Sequence, residues 1–104
     1  MKIRLSKLST YKLELITKYL VENWSTNTKN QFLKRLQVCF KSVSKNPTAF
    51  PRSSSRPDIR KVVITKQTTA YFKIESDSIY VITIFDTRQD PEKIDLELRD
   101  NFDL

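Results

Sequence analysis

The 104-residue chain has no histidine, no glycine and a single cysteine, Cys39. Without histidine there is no Ser-His-Asp or Cys-His arrangement and no His-containing zinc site. One cysteine supplies neither a disulfide nor a cysteine-rich metal site. Without glycine there is no phosphate-cradling P-loop and no dinucleotide fingerprint, since both need a backbone approach that a Cβ obstructs. Any catalysis would rest on Lys, Arg, Tyr and carboxylates, and no cofactor or metal is expected. Long apolar runs are missing too. The longest, residues 79–85, falls far short of the roughly 20 residues of a membrane-spanning helix. No signal peptide is visible, so a cytoplasmic protein without a membrane partner is expected.

What is present fits a small folded domain. Hydrophobic residues make up 38% of the chain, enough for one modest core, and a single domain over 1–104 is expected. The formal charge is +7 and the pI about 9.7. Residues 1–61 hold 14 Lys and Arg against 3 Asp and Glu, whereas residues 62–104 hold 5 against 9. The basic first part asks for an anionic partner, either nucleic acid or an acidic protein segment.

The organising stretch is IYVITIFDTRQDPEKI, residues 79–94. Its β-branched and aromatic residues make both alternating faces apolar, as in a central strand covered on both sides. It then turns abruptly polar. Arg88 falls just past the strand end, where it either serves a site or binds nearby carbonyls. Asp90-Pro91-Glu92 reads as a helix cap, a proline at the first helical position and a first-turn acid. The tail is ambiguous: Ile94, Leu98 and Phe102 have helical spacing while Ile94, Leu96 and Leu98 alternate, and Asp90-Pro91 favours a helix.

The opening MKIRLS alternates as a short edge strand. Ser9 can cap a helix with one apolar stripe at Leu13, Ile16, Leu20 and Trp24 and a second at Tyr11, Leu15 and Tyr19, so that helix should pack against two things. Thr28 and Gln31 have capping-box spacing ahead of a second helix bearing Phe32, Leu36, Cys39, Phe40 and Val43. Cys39 is expected as a small core residue. NPTAFPRSSSRPD, residues 46–58, connects to the sheet, and its Arg52 and Arg56 either meet phosphates or sit in a solvated loop. Strands are expected at 59–64, 69–74 and 79–85. Asp77, Asn27 and Asn46 are the candidates for left-handed turn positions. Two-residue loops at Ser76-Asp77 and Lys66-Gln67 would oppose Phe72 to Val81 and Thr68 to Phe85. That register puts Val62, Ile64, Tyr71, Tyr80, Ile82 and Ile84 under the helical hairpin. It leaves Lys61, Thr68, Ala70, Phe72, Val81 and Thr83 as a partly open, basic-rimmed groove.

This α+β order, β-α-α-β-β-β with a short C-terminal helix, resembles the RelE/ParE toxin superfamily across nearly the whole chain. The resemblance is carried by Trp24, Asn46-Pro47, Ile59-Arg60, Tyr71 and Arg88-Gln89-Asp90-Pro91. It implies a toxin of a type II toxin–antitoxin pair, held in a hetero-oligomer by a cognate antitoxin whose segment wraps the toxin and can add to its sheet. RelE-like members cut mRNA on the ribosome, and ParE-like members trap DNA gyrase on cleaved DNA. Lys61 and Arg88 match two cationic positions of the RelE-type ribonuclease site and are the catalytic candidates if this is a nuclease. The family's arginine three residues before the tyrosine matched by Tyr71 is here Thr68. A second lysine position falls on Ile59 and the C-terminal tyrosine position on Ile94. Losing one electrostatic donor can cost about 100- to 1,000-fold in rate, so the ribonuclease reading weakens. The ending resembles ParE-type members, in which a hydrophobic strand runs into an Arg-x-Asp turn. A gyrase inhibitor is therefore expected, with a ribosome-dependent mRNA endoribonuclease or an inactive antitoxin-binding domain as alternatives. Arg60, Lys61 and Arg88 are the candidates for pairing with antitoxin carboxylates, and Phe72 and Val81 for apolar contacts.

Overall fold

A computed structural model of the chain describes residues 1–54, 56–87 and 91–102. The order is β1 (Lys2–Leu5), α1 (Lys7–Asn23), α2 (Thr26–Lys45), a 3-10 turn (Pro47–Ala49), β2 (Arg60–Thr65), β3 (Thr68–Ile74), β4 (Ser78–Asp86) and α3 (Pro91–Phe102). The sheet runs β1-β4-β3-β2, with β1 parallel to β4 and the other neighbours antiparallel. This is the expected α+β fold, with β4 central, the opening strand at an edge and a helical tail. Asp90, read as the cap of α3, lies outside the described residues.

Both helix starts differ from expectation. α1 is capped by Ser6, whose Oγ accepts the Ser9 N–H at 2.9 Å. Ser9 lies inside the helix, fully buried, and donates its hydroxyl to the Val81 carbonyl at 2.9 Å. α2 is capped by Ser25, which accepts the Thr28 N–H at 3.0 Å. The Trp24 and Ser25 N–H groups both return to the Leu20 carbonyl, so the turn between the helices consists of little more than their two caps. No described residue has a positive φ. Asp77, Asn27 and Asn46 are therefore not left-handed, and the described turns are ones that a glycine-free chain can make.

The sheet register is corrected at two bulges. At the β3–β4 turn the pairing is as expected, with Ile74 opposite Ile79 and Phe72 opposite Val81. Ile82 is then an extra residue, so Tyr71 meets Thr83 and Thr68 meets Asp86 rather than Phe85. In β2, Ile64 is extra between the pairs Thr65–Thr68 and Val63–Thr69. An extra residue flips the faces beyond it. The helical hairpin thus covers Val62, Ile64, Ala70, Phe72, Ile79, Val81 and Ile84. Ile59, Tyr71, Ile82 and Phe85 form a second core with Leu98 of α3, flanked by Tyr80 and Ile94. Tyr71, Tyr80 and Ile82 exchange sides with Ala70, Phe72 and Val81 relative to the expected arrangement. The bulge is anchored from β1–α1: Ser6 donates its hydroxyl to the Ile82 carbonyl at 2.6 Å, beside the Ser9–Val81 bond. The Val81 carbonyl also accepts the Ser6 N–H at 3.0 Å, and a buried carbonyl left without any such partner costs about 1–3 kcal/mol.

Candidate functional site

The expected open groove over Phe72 and Val81 is closed. Each is 1% exposed and belongs to the core under α1 and α2, because the bulge at Ile82 turns them toward the helices. They present no surface to a partner in this structure. Arg60 is occupied as well: its Nη1 donates to the Phe50 carbonyl at 2.7 Å and to the Thr48 carbonyl at 3.3 Å, stapling the connecting loop to the start of β2. Lys61 is half-buried and stands opposite Tyr71. Arg88 lies outside the described residues. Among the described members of the predicted set, Phe72, Val81 and Arg60 form no open surface with Lys61, which retains a partly exposed cation.

The free apolar surface lies at the margin of the hairpin-covered face of the sheet, and it arises from α1. Leu13, Ile16 and Leu20 pack on the core as their stripe predicts. The second stripe has no partner: Tyr11, Leu15 and Tyr19 are about half exposed, and Trp24, placed in the buried stripe by its spacing, is 71% exposed. Leu15 and Tyr19 form one wall of a groove of about 1120 Å³. Val38 and Cys39 of α2 form the other, and Val63 and Ile64 close the end at β2. Val38 and Val63 are 61% and 63% exposed. Arg35 and Lys34 add positive charge, and the Arg35 Nε donates to the Ile64 carbonyl at 2.7 Å. The Cys39 thiol, half-buried against the core, points at the Val63 carbonyl at 3.7 Å.

β2 is an edge strand but not a bare one. The Lys61 N–H is held by the Pro51 carbonyl at 3.0 Å, and Ser53 N–H donates to the Ile59 carbonyl at 2.7 Å. Arg35 and Cys39 cover the carbonyls at its other end. Strand addition there would have to displace the 51–53 segment, whereas an amphipathic helix could enter the groove as it stands. The groove was legible only indirectly, as a second apolar stripe on α1 and as Val38 and Val63 falling off their elements' buried patterns.

Three of the positions matched to a RelE-type ribonuclease site hold packing residues. Ile59 is fully buried, Thr68 is buried and Ile94 flanks the second core. Tyr71 is also buried, and burial first, then the charge of Asp95, pushes its phenol above the ordinary value. A phenol held protonated in this way is a poor general base near neutral pH. Among the described residues no group of three or more His, Cys, Asp or Glu could hold a metal ion, and no helix is long and apolar enough to cross a membrane.

The comparisons agree with this fold. Residues 3–91 match the family described as the ParE toxin of type II toxin–antitoxin system, parDE. No curated protein sequence matches the chain. Among solved structures, a chain of the chromosomal ParDE TA system from P. aeruginosa superposes with a TM-score of 0.72 at 15% identity, covering 83% of this chain and 95% of that one. The YoeB/ParE toxin from Agrobacterium tumefaciens gives 0.61 at 12% identity, covering 83% and 98%.

Proposed function

The chain belongs to the ParE toxin family of type II toxin–antitoxin systems, and we propose that it binds and inhibits DNA gyrase and is neutralised by a cognate antitoxin. Membership implies an antitoxin partner; gyrase as the target is the proposal. The observation that carries it is the burial of Ile59 and Thr68, with Ile94 against the same core, at the three positions where a ribonuclease of the superfamily would place charged or phenolic groups. Cations cannot be restored there without burying unpaired charge. Inhibition by binding requires no catalytic residue, Lys61 included. Arg88, at the end of the ParE-like strand in sequence, is a contact with the target in this reading.

The antitoxin segment occupies the α1–α2–β2 groove, as an amphipathic helix whose apolar side meets Leu15, Tyr19, Val38 and Val63 and whose carboxylates meet Lys34, Arg35 and, at the far side of β2, Lys61. Apolar anchors supply most of the affinity of such a contact and the charges its rate and register. The test of target is supercoiling and DNA cleavage by purified gyrase, alongside ribosome-programmed mRNA cleavage, with one preparation of the toxin. Loss of supercoiling with gyrase-linked DNA breaks and intact mRNA is expected. Cut mRNA with normal supercoiling would overturn the proposal and return Lys61 and Arg88 to catalytic roles.

A further inference from the structure

Residues 23–57 hold seven of the 19 Lys and Arg and none of the 12 Asp and Glu, so the whole formal charge of +7 sits in this segment and the other 69 residues are neutral. Most of the segment is α2. Its Phe32, Leu36 and Val43 are buried toward the sheet. At 3.6 residues per turn, Asn30, Lys34, Gln37, Lys41 and Lys45 fall within about 80° of arc on the far side, along roughly 22 Å of helix. All five are exposed. Among the described residues Lys34, Lys41 and Lys45 take part in no ion pair, unlike Arg4, Lys12, Lys18 and Arg56, which pair with Glu75, Glu97, Glu22 and Asp58.

We propose that this face of α2 binds the phosphate backbone of double-stranded DNA. Duplex DNA presents about one negative charge per 1.7 Å of axis, so a 22 Å stripe of cations lies against far more phosphates than it has lysines. The two amides interleaved with the lysines, Asn30 and Gln37, are further donors to phosphate oxygens. The stripe itself carries no apolar residue. A protein segment would need apolar anchors, and those lie in the groove, beyond Val38 at its border. A single strand would need aromatic platforms among the cations, and the exposed aromatics Tyr11, Tyr19 and Trp24 belong to α1 and its end. With its lysines and amides engaged by phosphate oxygens, which carry no sequence information, binding is independent of sequence.

The experiment is fluorescence anisotropy of a labelled 20-base-pair duplex titrated with the full chain at several salt concentrations. Three phosphate contacts predict a slope of log K against log salt near −2.7, or about a 40-fold loss of affinity between 50 and 200 mM. The triple variant Lys34→Gln, Lys41→Gln, Lys45→Gln should abolish both binding and slope. The control Lys2→Gln, Lys7→Gln, Lys18→Gln removes the same charge from other exposed positions and should retain most of the affinity. All six positions are exposed, so both variants should keep the wild-type circular dichroism and melting transition. Equal loss in the two variants would overturn the proposal in favour of net charge alone. Absence of binding at 50 mM salt, or displacement of the duplex by polyglutamate at equal charge, would overturn it in favour of an acidic protein partner. No topoisomerase is present, so either failure leaves the gyrase reading standing.

Discussion

One face of the sheet is closed by two helices of 17 and 20 residues, which bury Phe72, Val81 and Ile84 beneath them. The other is closed by the 12-residue α3 alone, which rests chiefly on β4 through Leu98 and Ile94. Polar bonds supplement that smaller contact: Lys12 of α1 lies over the Phe85 ring at 4.5 Å and pairs with Glu97, which also accepts a hydrogen bond from Thr83 at 2.9 Å. The hairpin face is held by apolar area contributed from many positions, whereas among the described residues α3 contributes the fully buried Leu98, Ile94 beside it and a largely buried ion pair with Lys12. The attraction in such a pair is offset by the cost of desolvating both charges, so its net contribution is small. Cooperative stability should therefore follow the hairpin face, and α3 should open first.

Truncation at the centre of each face breaks the comparison most directly. Phe72 is fully buried and meets the Phe50 ring edge-on, with centroids 6.1 Å apart. Phe72→Ala should cost about 3–5 kcal/mol and lower the denaturant midpoint of every probe together. Leu98→Ala removes a comparable fraction of a smaller core, and because α3 can detach, its cost of about 2–3 kcal/mol should appear first as local opening. Hydrogen exchange reads the difference: amides of α3 should lose protection in Leu98→Ala while those of β3 and β4 keep most of theirs. Equal loss at all sites in both variants would mean that the two faces form one cooperative unit.

The same contrast explains what could be read from the sequence. Element order, the helical hairpin and the helical tail were legible because each is written locally, in the spacing of Leu13, Ile16 and Leu20, in the breaker run 46–58 and in Asp90-Pro91. The assignment of faces was not. Ile64 and Ile82 are extra residues inside runs of β-branched residues, where nothing in composition distinguishes a bulged isoleucine from a paired one. The anchoring bonds from Ser6 and Ser9 to the Ile82 and Val81 carbonyls span 76 and 72 residues of sequence. The same distant demand moved the helix cap from Ser9 to Ser6. Because Phe72 and Val81 were placed by register, they were the site residues most exposed to that error. Arg60 was displaced differently: its charge was legible, its engagement with the Thr48 and Phe50 carbonyls was not. The apolar stripe of Tyr11, Leu15 and Tyr19 was visible throughout, but its lack of a partner within the chain emerges only once the hairpin face is assembled.

The smallest effect sharpens the comparison through pH. Tyr71 sits in the α3 core, where burial and then the charge of Asp95 raise its phenol above the ordinary value of 10.0. The folded state therefore keeps a proton that the unfolded state gives up. The stabilisation from that difference is fully present below pH 10 and is lost as pH rises through the higher folded value. Tyr71→Phe leaves the ring in place and removes the ionisation, so denaturant midpoints measured from pH 7 to 11 should fall less steeply above pH 10 than those of the wild type. The two proteins differ in this one ionisable group, so the difference between the two curves isolates the Tyr71 phenol. Hydrogen exchange in α3 should follow the same difference, because Asp95 lies on that helix and would face a new negative charge. If the two curves coincide, Tyr71 is solvated well enough to ionise freely, and the α3 face is looser at neutral pH than its buried leucine implies.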